Sequence, residues 1–218
     1  AIEVYEEMET IGALQGRGAE YYQKLGYALQ KNKKYAEAID AYLKADTLKP
    51  DNIWNNRHLA ICYRLNRNYQ AALSYYKKVE EATPEDTNVI FHIGSCLAEL
   101  GQYEEAANYF FKLDFIESNC IKAWRGIGWC SFISRKYEQA MKYYEKIIEQ
   151  KPLAIDYMNA GHVAWTMGDI QKAAALYGKS ITANGNRERF LEMFRKDKEA
   201  LLKQGIQEED IPLMLDLL

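Results

Sequence analysis

The sequence predicts an all-α protein built from repeated pairs of antiparallel helices. Three observations lead to this fold class. The 218 residues include only four prolines, so long stretches are free to be helical. Hydrophobic residues make up 48% of the chain, which predicts a folded core rather than a disordered chain. Above all, one segment with apolar residues at helical spacing recurs along the chain at a nearly constant interval.

The recurring segment is represented by YAEAIDAYLKA and YEQAMKYYEKI. Each copy begins 34 residues after the one before it, except the last, which begins after 33. The copies begin at Tyr35, Tyr69, Tyr103, Tyr137 and Ile170. One residue is therefore missing near Pro152-Leu153. Because the interval holds over five copies, we expect one structural unit to be repeated five times.

Each copy predicts the second helix of a unit, in which one position is always small and another always holds a large ring. An alanine recurs where the two helices of a unit must approach closely: Ala38, Ala72, Ala106, Ala140 and Ala173. A large ring follows four residues later and is expected to fill the gap towards the next unit: Tyr42, Tyr76, Phe110, Tyr144 and Tyr177. Residues four apart share one face of a helix, so both positions are predicted to be buried.

A second apolar stretch precedes each copy and predicts the first helix of the unit. In the fourth unit it carries Trp124, Ile127 and Gly128, and a polar turn such as Gly101-Gln102 separates the two helices of a unit. Proline closes three units, since it cannot continue the preceding helix: Pro50, Pro84 and Pro152.

This pattern resembles the tetratricopeptide repeat, in which W-x2-L-G-x2-Y is followed by A-x3-F and then P within 34 residues. The resemblance covers about residues 19–185, although Asn56, Ile90, Ser131 and Ala164 depart from the aromatic positions. It implies a right-handed α-solenoid, a tetratricopeptide-like superhelix of about five full repeats with flanking helices. The expected repeats are 19–52, 53–86, 87–120, 121–153 and 154–186.

The two ends are expected to flank the array. Residues 1–14 are typical of the second helix of an earlier unit, and a loop would complete the segment 1–18. Residues 187–218 predict capping helices, since a solenoid must cover the open side of its last repeat. A helix over 187–204 carries Phe190, Phe194 and Leu201 on one face, and Asp210 would cap a short final helix. The apolar tail of that final helix is expected to dock on the array or, alternatively, to pair with another chain or with a further C-terminal segment.

Composition and motifs exclude several classes of function. The net charge of −3 argues against a nucleic-acid binder, and no apolar run approaches the roughly 18 residues that span a bilayer. Cys62, Cys96 and Cys130 share one repeat position, too far apart for disulfides, and no C-x2-C motif suggests zinc. We therefore predict buried structural thiols, no cofactor, no metal and no enzyme. Free thiols favour the cytoplasm, while the compartment stays open.

The remaining face of each first helix is the candidate site. In the resembled family this face lines a concave groove where partner peptides bind. In the first unit it includes Gln23 and Tyr27. Aromatic residues and arginines, the types enriched at binding hot spots, are frequent on it. The predicted groove residues are Trp54, Arg57, Arg64, Phe91, Lys122, Arg125, Trp129, Phe132, Met158, His162 and Trp165. For Phe132 and Trp165 the alternative is burial between neighbouring first helices.

One subset of the family binds the carboxyl terminus of chaperones with a set of lysine, arginine and asparagine side chains. Lys122 matches one of its positions, but Gly126 stands where the subset has arginine, and Gln23 and Tyr27 replace lysine and asparagine. Chaperone-tail binding is therefore not predicted. The cations Arg57, Lys122 and Arg125 still favour a partner that carries some negative charge.

The sequence leads to two hypotheses of function. In the first, the protein is an interaction scaffold whose groove holds a partner peptide or segment, anchored on Trp54, Phe91 and Trp129, with Arg57 and Arg125 pairing its acids. In the second, the array is structural or self-assembling, and its groove is filled by a missing domain of its own or by another copy. A catalytic role has no supporting motif.

Overall fold

A computed structural model describes residues 18–218 of the chain. The expected helix over residues 1–14 and most of the loop that follows it lie outside the described residues. Among the described residues all regular structure is helical, in agreement with the predicted class. The helices are α1 Ala19–Lys31, α2 Tyr35–Leu48, α3 Ile53–Leu65, α4 Tyr69–Ala82, α5 Thr87–Glu99, α6 Tyr103–Ile116, α7 Ile121–Ile133, α8 Tyr137–Ile148, α9 Ala154–Thr166, α10 Ile170–Asn184, α11 Arg187–Lys203 and α12 Asp210–Asp216.

The chain forms two compact units, which divide between Gly101 and Gln102. The first unit holds α1 to α5, and each of these helices packs against the next. The second holds α6 to α12, where α6 to α11 likewise pack in sequence. Within each unit the alternate helices also meet, α1 with α3 and α7 with α9. This consecutive packing of short helices is the architecture of an α-solenoid.

The repeated segment fixes the second helix of each pair. These helices, α2, α4, α6, α8 and α10, begin at the residue where each copy of the segment begins. The recurring alanines are fully buried, and the large rings four residues later are buried as well. Helix α8 has 12 residues where α2, α4 and α6 have 14, and the loop after it has five residues where the others have four. The repeat is therefore one residue shorter between Ile148 and Ala154, the region that holds Pro152 and Leu153.

The large rings pack in two directions. A Cβ added at Gly26 would lie 2.8 Å from the ring of Tyr42, and one at Gly161 would lie 2.5 Å from that of Tyr177. Each ring therefore occupies the space left by the glycine of its own repeat. Tyr42 also stacks on His58 of the following repeat, at a ring distance of 5.6 Å. The rings thus contact the next repeat, as predicted, and also pack against the glycine of their own repeat, which was not predicted.

The turn between the two helices of each repeat contains one residue with positive φ. Gly101 and Gly168 supply it in two repeats, with φ of 77° and 85°. Lys33, Arg67 and Arg135 adopt the same conformation with φ of 59° to 61°. A residue with a Cβ pays about 1 kcal/mol for this left-handed backbone, and glycine does not.

The C-terminal helices cover the last pair. Helix α11 packs on α9 and α10 and buries Phe190, Phe194 and Leu201, as its apolar pattern predicted. Helix α12 begins at Asp210, but its N-cap is Glu209 and no side chain caps it. The predicted capping role of Asp210 is therefore wrong. Met214 is buried, whereas most of the surface of Leu213 remains exposed.

Candidate functional site

The predicted groove residues lie on α3, α5, α7 and α9, the first helices of four helix pairs. In the first compact unit, which ends at Gly101, these are Trp54, Arg57, Arg64 and Phe91. In the second compact unit they are Lys122, Arg125, Trp129, Phe132, Met158, His162 and Trp165. The two sets have different surroundings. The first lies on a face that is partly open in the described structure, and much of the second is buried.

Trp54 is the centre of an aromatic cluster on the first unit. Its ring lies 4.0 Å from that of His58 and 6.0 Å from that of Tyr42. Tyr27, from α1, lies 6.3 Å from Trp54, and its ring also carries the ammonium of Lys31 at 5.1 Å. Trp54 remains 42% exposed and Tyr27 41%. Two large rings from different helices therefore form one accessible aromatic surface, the Trp54–Tyr27 surface.

His58 packs against Trp54 as the tautomer with the proton on Nδ1. The Oε1 atom of Gln30 accepts hydrogen bonds from the Tyr42 hydroxyl at 3.0 Å and from His58 Nδ1 at 2.8 Å. An amide oxygen only accepts, so Nδ1 carries the proton. Burial, together with the nearby charges of Arg57 and Lys31, lowers the pKa of His58 to about 4. The imidazole is therefore neutral at physiological pH and stacks as an uncharged ring.

Arg57 is already paired within the chain. Its guanidinium lies 2.8 Å from the Asp86 carboxylate, which also accepts hydrogen bonds from the backbone N–H groups of Asn88 and Val89 at the start of α5. Burial alone would raise the pKa of Asp86, but the hydrogen bonds from Val89 and Arg57 outweigh it and lower the pKa. The expectation that Arg57 offers its charge to a partner is therefore corrected: it stabilises the N-terminus of α5.

Arg64 differs from the other cations on these faces. Its Nε donates a long hydrogen bond, 3.4 Å, to the hydroxyl of Tyr76, which is a neutral partner. No ion pair joins Arg64 to any of residues 18–218. Phe91, on α5, is half-buried, and its ring lies 5.4 Å from that of His92. Arg64 therefore retains a charge that a ligand can use.

Arg125 is a structural residue of the second unit. Its Nε and Nη2 donate to the two carboxylate oxygens of Asp156, both at 2.7 Å. Asp156 is buried, and it also accepts from the backbone N–H of Leu153 at 2.7 Å. The pair thus ties α7 to the first turn of α9. Lys122 likewise lies 3.4 Å from Glu117. The expected role of Arg125 in pairing with a partner is corrected, because a buried acid of the chain already holds it, whereas the pair of Lys122 is exposed to solvent.

Four predicted groove residues are buried. Phe132, Met158, His162 and Trp165 expose 5% of their surface or less. The expectation of an open groove is wrong for these four side chains. Helix α11 covers two of them, since the ring of Phe194 lies 5.4 Å from that of His162 and 6.4 Å from that of Trp165. Phe132 packs between neighbouring first helices, as the alternative expected, with its ring stacked 6.4 Å from that of His162. Trp129 stays half-buried, 5.7 Å from the ring of Phe132.

The departure at Gly126 from the chaperone-binding pattern has a steric cause. A Cβ added at Gly126 would lie 2.5 Å from the ring of Phe110, on the preceding helix. No real Cβ contact is that close, so an arginine cannot occupy this position without displacing the ring. Packing between α6 and α7 therefore excludes the side chain that the chaperone-binding pattern requires.

The cysteines and acidic groups form no chemical site in the described part of the chain. All four cysteines are free and buried, which was predicted for the three at the shared repeat position, Cys62, Cys96 and Cys130. Burial raises the pKa of Cys62 and of Cys130 to about 12, so both are protonated and unreactive. Among residues 18–218 no three His, Cys, Asp or Glu side chains are grouped to hold a metal ion. None of the helices examined there is long and apolar enough to cross a membrane.

Two residues of the first-unit surface were not among the predicted site residues. Tyr27 lies on the face of α1 that the sequence analysis names, next to polar residues such as Gln23. His58 packs against Trp54 and donates a hydrogen bond to Gln30, a residue 28 positions away. The signal for Tyr27 was present in the sequence as an aromatic ring on a polar face; none was present for His58.

The comparisons with known proteins agree on one kind of repeat. Residues 64–130 match one family model of the tetratricopeptide repeat, and residues 19–52, 121–152 and 157–187 match a second. Together these matches cover most of the chain between residues 19 and 187. None of the curated proteins compared with the chain matches it.

Solved structures show the same fold at low sequence identity. The tetratricopeptide repeat protein YrrB, described as having an unusual peptide-binding site, is 20% identical, with a TM-score of 0.69 over 89% of this chain and 100% of that one. A tetratricopeptide repeat protein from Parabacteroides merdae is also 20% identical, with a TM-score of 0.66 over 100% of this chain and 90% of that one. MamA from Desulfovibrio magneticus is 16% identical, with a TM-score of 0.72 over 78% and 96%.

Proposed function

Because the chain belongs to the tetratricopeptide repeat family, whose members are in general non-enzymatic scaffolds for protein–protein interaction, we propose that it binds a segment of a partner protein on the first unit. The observation that carries this proposal is the Trp54–Tyr27 surface. Two rings from different helices remain about 40% exposed there. Aromatic side chains of this kind dominate the energy of protein interfaces.

The chemistry of the first-unit face suggests what the partner contains. An apolar or aromatic side chain of the partner packs on the Trp54–Tyr27 surface. A carboxylate of the partner pairs with Arg64, the cation on α3 whose partner in the chain is a neutral hydroxyl. Trp54 and Arg64 lie ten residues apart on α3, which is about 15 Å along the helix axis. An extended segment covers that distance in about five residues.

The sequence hypothesis therefore changes in two respects. Arg57 and Arg125 are not the residues that recognise the acid, because buried or partly buried aspartates of the chain already hold them. Trp129 and the four buried residues of the second unit are not part of this first-unit surface. The second hypothesis, a groove filled from within, is favoured by one observation, the packing of α11 on the second unit. YrrB, with its peptide-binding site, is a structural relative consistent with peptide capture.

Selection of random displayed peptides against the full chain tests the proposal. We expect the selected peptides to share an apolar residue followed about five positions later by an acid. Replacing Trp54 or Tyr27 with alanine should weaken their binding at least tenfold. Phe115→Ala provides the control, because Phe115 is an even more accessible aromatic residue, 90% exposed, on the second unit. Circular dichroism establishes that each variant remains helical.

Two results would refute this function. Selected peptides that bind Trp54→Ala and Tyr27→Ala as tightly as the wild type would place the site elsewhere. An equal loss with Phe115→Ala would show that the peptides adhere to any exposed ring. Arg64→Ala separates the two contacts, since it should weaken only those peptides that carry the acid.

A further inference from the structure

A cavity of about 230 Å³ lies on the second unit, where α6 meets the turn between α7 and α8. Asn108 and Phe111 line it from α6. Ser131 lines it from the last turn of α7, and Gln139 from the first turn of α8. These side chains differ from every predicted groove residue, so the cavity is not part of the predicted groove.

The cavity follows from one departure in the repeat pattern. Ser131 is the eleventh residue of its repeat, and the first three repeats hold Leu29, Tyr63 and Leu97 at that place. Ser131 is buried, and its hydroxyl donates to Gln139 Oε1 at 3.0 Å. A serine is much smaller than a leucine or a tyrosine ring, so the fourth repeat leaves unfilled the space that their side chains occupy.

The second repeat shows which group fits this space. The ring of Tyr63 is stacked on that of Tyr75, at 5.6 Å and an interplanar angle of 13°. Burial and the negative charge of Asp40 raise the pKa of Tyr63, so its hydroxyl lies near that carboxylate. Asp40 is the sixth residue of α2, and Asn108 is the sixth residue of α6. A phenol in the same place of the fourth repeat therefore has an amide beside its hydroxyl.

The size of the cavity suits a ring with polar substituents. A cavity of about 150 Å³ is large enough to hold benzene, so one of 230 Å³ holds a substituted ring. The ring of Phe111 provides an aromatic wall against which a second ring packs favourably. The amides of Asn108 and Gln139 can both donate and accept hydrogen bonds.

The charges at the rim favour a neutral ligand. Lys136 Nζ lies 3.6 Å from Glu104 Oε1, and both side chains are more than half exposed. They are the charged residues that line the cavity, and their charges are opposite. The cavity therefore opens to solvent on this side and offers no net charge to a ligand.

We propose that this space, the Ser131 cavity, binds a small uncharged molecule with a phenol-like ring. The ring takes the place that Tyr63 holds in the second repeat, with its face against Phe111 and its hydroxyl bonded to Asn108. This site shares no residue with the Trp54–Tyr27 surface, so either proposal stands if the other fails.

The test uses the full chain and p-cresol, which is the tyrosine side chain as a free molecule. Titration followed by ¹⁵N-resolved NMR should give a Kd of about 1 mM, since so small a ligand makes few contacts. Toluene lacks the hydroxyl and should bind about fivefold more weakly. In Asn108→Leu this difference between the two ligands should disappear, because the hydroxyl then has no amide to meet.

Two variants fill the cavity from within. Ser131→Tyr should abolish p-cresol binding and raise the midpoint of thermal unfolding, because its own ring occupies the space. Ser131→Leu carries the residue of the first and third repeats and should weaken binding at least tenfold, even if the tyrosine does not fit. Ser74→Leu is the control, since Ser74 is an exposed serine on the first unit, and it should bind p-cresol as the wild type does.

Four outcomes would overturn the proposal. The first is a wild-type protein that does not bind p-cresol, and the second is unchanged binding in both Ser131 variants. Toluene bound as tightly as p-cresol would contradict the role of the hydroxyl. N-acetyltyrosinamide bound more tightly than p-cresol would assign the cavity to a tyrosine side chain of another protein and contradict a small-molecule ligand.

Discussion

The pair formed by Arg125 and Asp156 gives the sharpest stability prediction. Both carboxylate oxygens accept from the guanidinium at 2.7 Å, and the carboxylate also accepts from the N–H of Leu153. Asp156 is 1% exposed, so removal of Arg125 leaves a buried anion with one backbone donor. Breaking a buried pair on one side costs about 3–5 kcal/mol, and we expect Arg125→Ala to lower the free energy of unfolding by about 3 kcal/mol.

Asp156→Ala should cost less, about 2–3 kcal/mol, because Arg125 is about one-third exposed and water can solvate its charge once the carboxylate is gone. The double variant should then be destabilised by less than the sum of the two, with a coupling energy of about 2 kcal/mol. Arg125→Lys should recover only part of the loss, because lysine cannot donate two parallel hydrogen bonds.

Urea unfolding of the four proteins, followed by circular dichroism, measures this coupling. The reasoning would be refuted if Arg125→Ala changed the free energy of unfolding by less than 0.5 kcal/mol or if the two losses were additive. It would also be refuted if Arg125→Ala abolished peptide capture while leaving stability unchanged, since that is the behaviour expected of a groove residue with a free charge.

Three further predictions concern single side chains. Gly161→Ala should lower the free energy of unfolding by about 1–3 kcal/mol because its Cβ meets the Tyr177 ring, whereas Gly178→Ala, which meets nothing within 4 Å, should raise it by about 0.5–1 kcal/mol; thermal unfolding distinguishes them. The pKa of His58 is lowered to about 4, so the unfolded chain binds a proton at higher pH than the folded chain does. The free energy of unfolding should therefore fall as the pH drops from 6.5 towards 4, with a loss of about 2 kcal/mol already reached at pH 5; the pH series of His58→Phe should lack this component. The thiol of Cys130, with its pKa raised to about 12, should react with a disulfide reagent only in denaturant, and fast labelling of the native protein would contradict its burial.

The repeats could be predicted because their information is local and periodic. A small residue, a ring four positions later and a polar turn recur at a fixed interval, and each has one structural meaning. The start of every second helix and the shorter fourth repeat follow from this pattern. Even the absence of arginine at Gly126 was visible, although its cause, the ring of Phe110, required coordinates.

The candidate site was harder to predict because the charge state of a surface depends on contacts between distant residues. Arg57 and Arg125 resemble free cations when only their own helices are considered. Their aspartates lie 29 and 31 positions away, at the starts of later helices, and no local pattern links them to the arginines. The burial of Trp165 likewise depends on α11, whose apolar face was recognised but whose docking position the sequence does not encode locally.

The four tryptophans provide the most direct test of the account. Trp54 belongs to the exposed surface of the first unit, and Trp165 lies beneath α11 on the second. Their indole N–H signals, recorded by ¹⁵N-resolved NMR and assigned by substitution, report each place separately. When a selected acidic peptide is added to the wild-type protein, we predict that the signal of Trp54 shifts while that of Trp165 remains in place. A shift of Trp165 with an unchanged Trp54 would contradict the assignment of partner binding to the first unit.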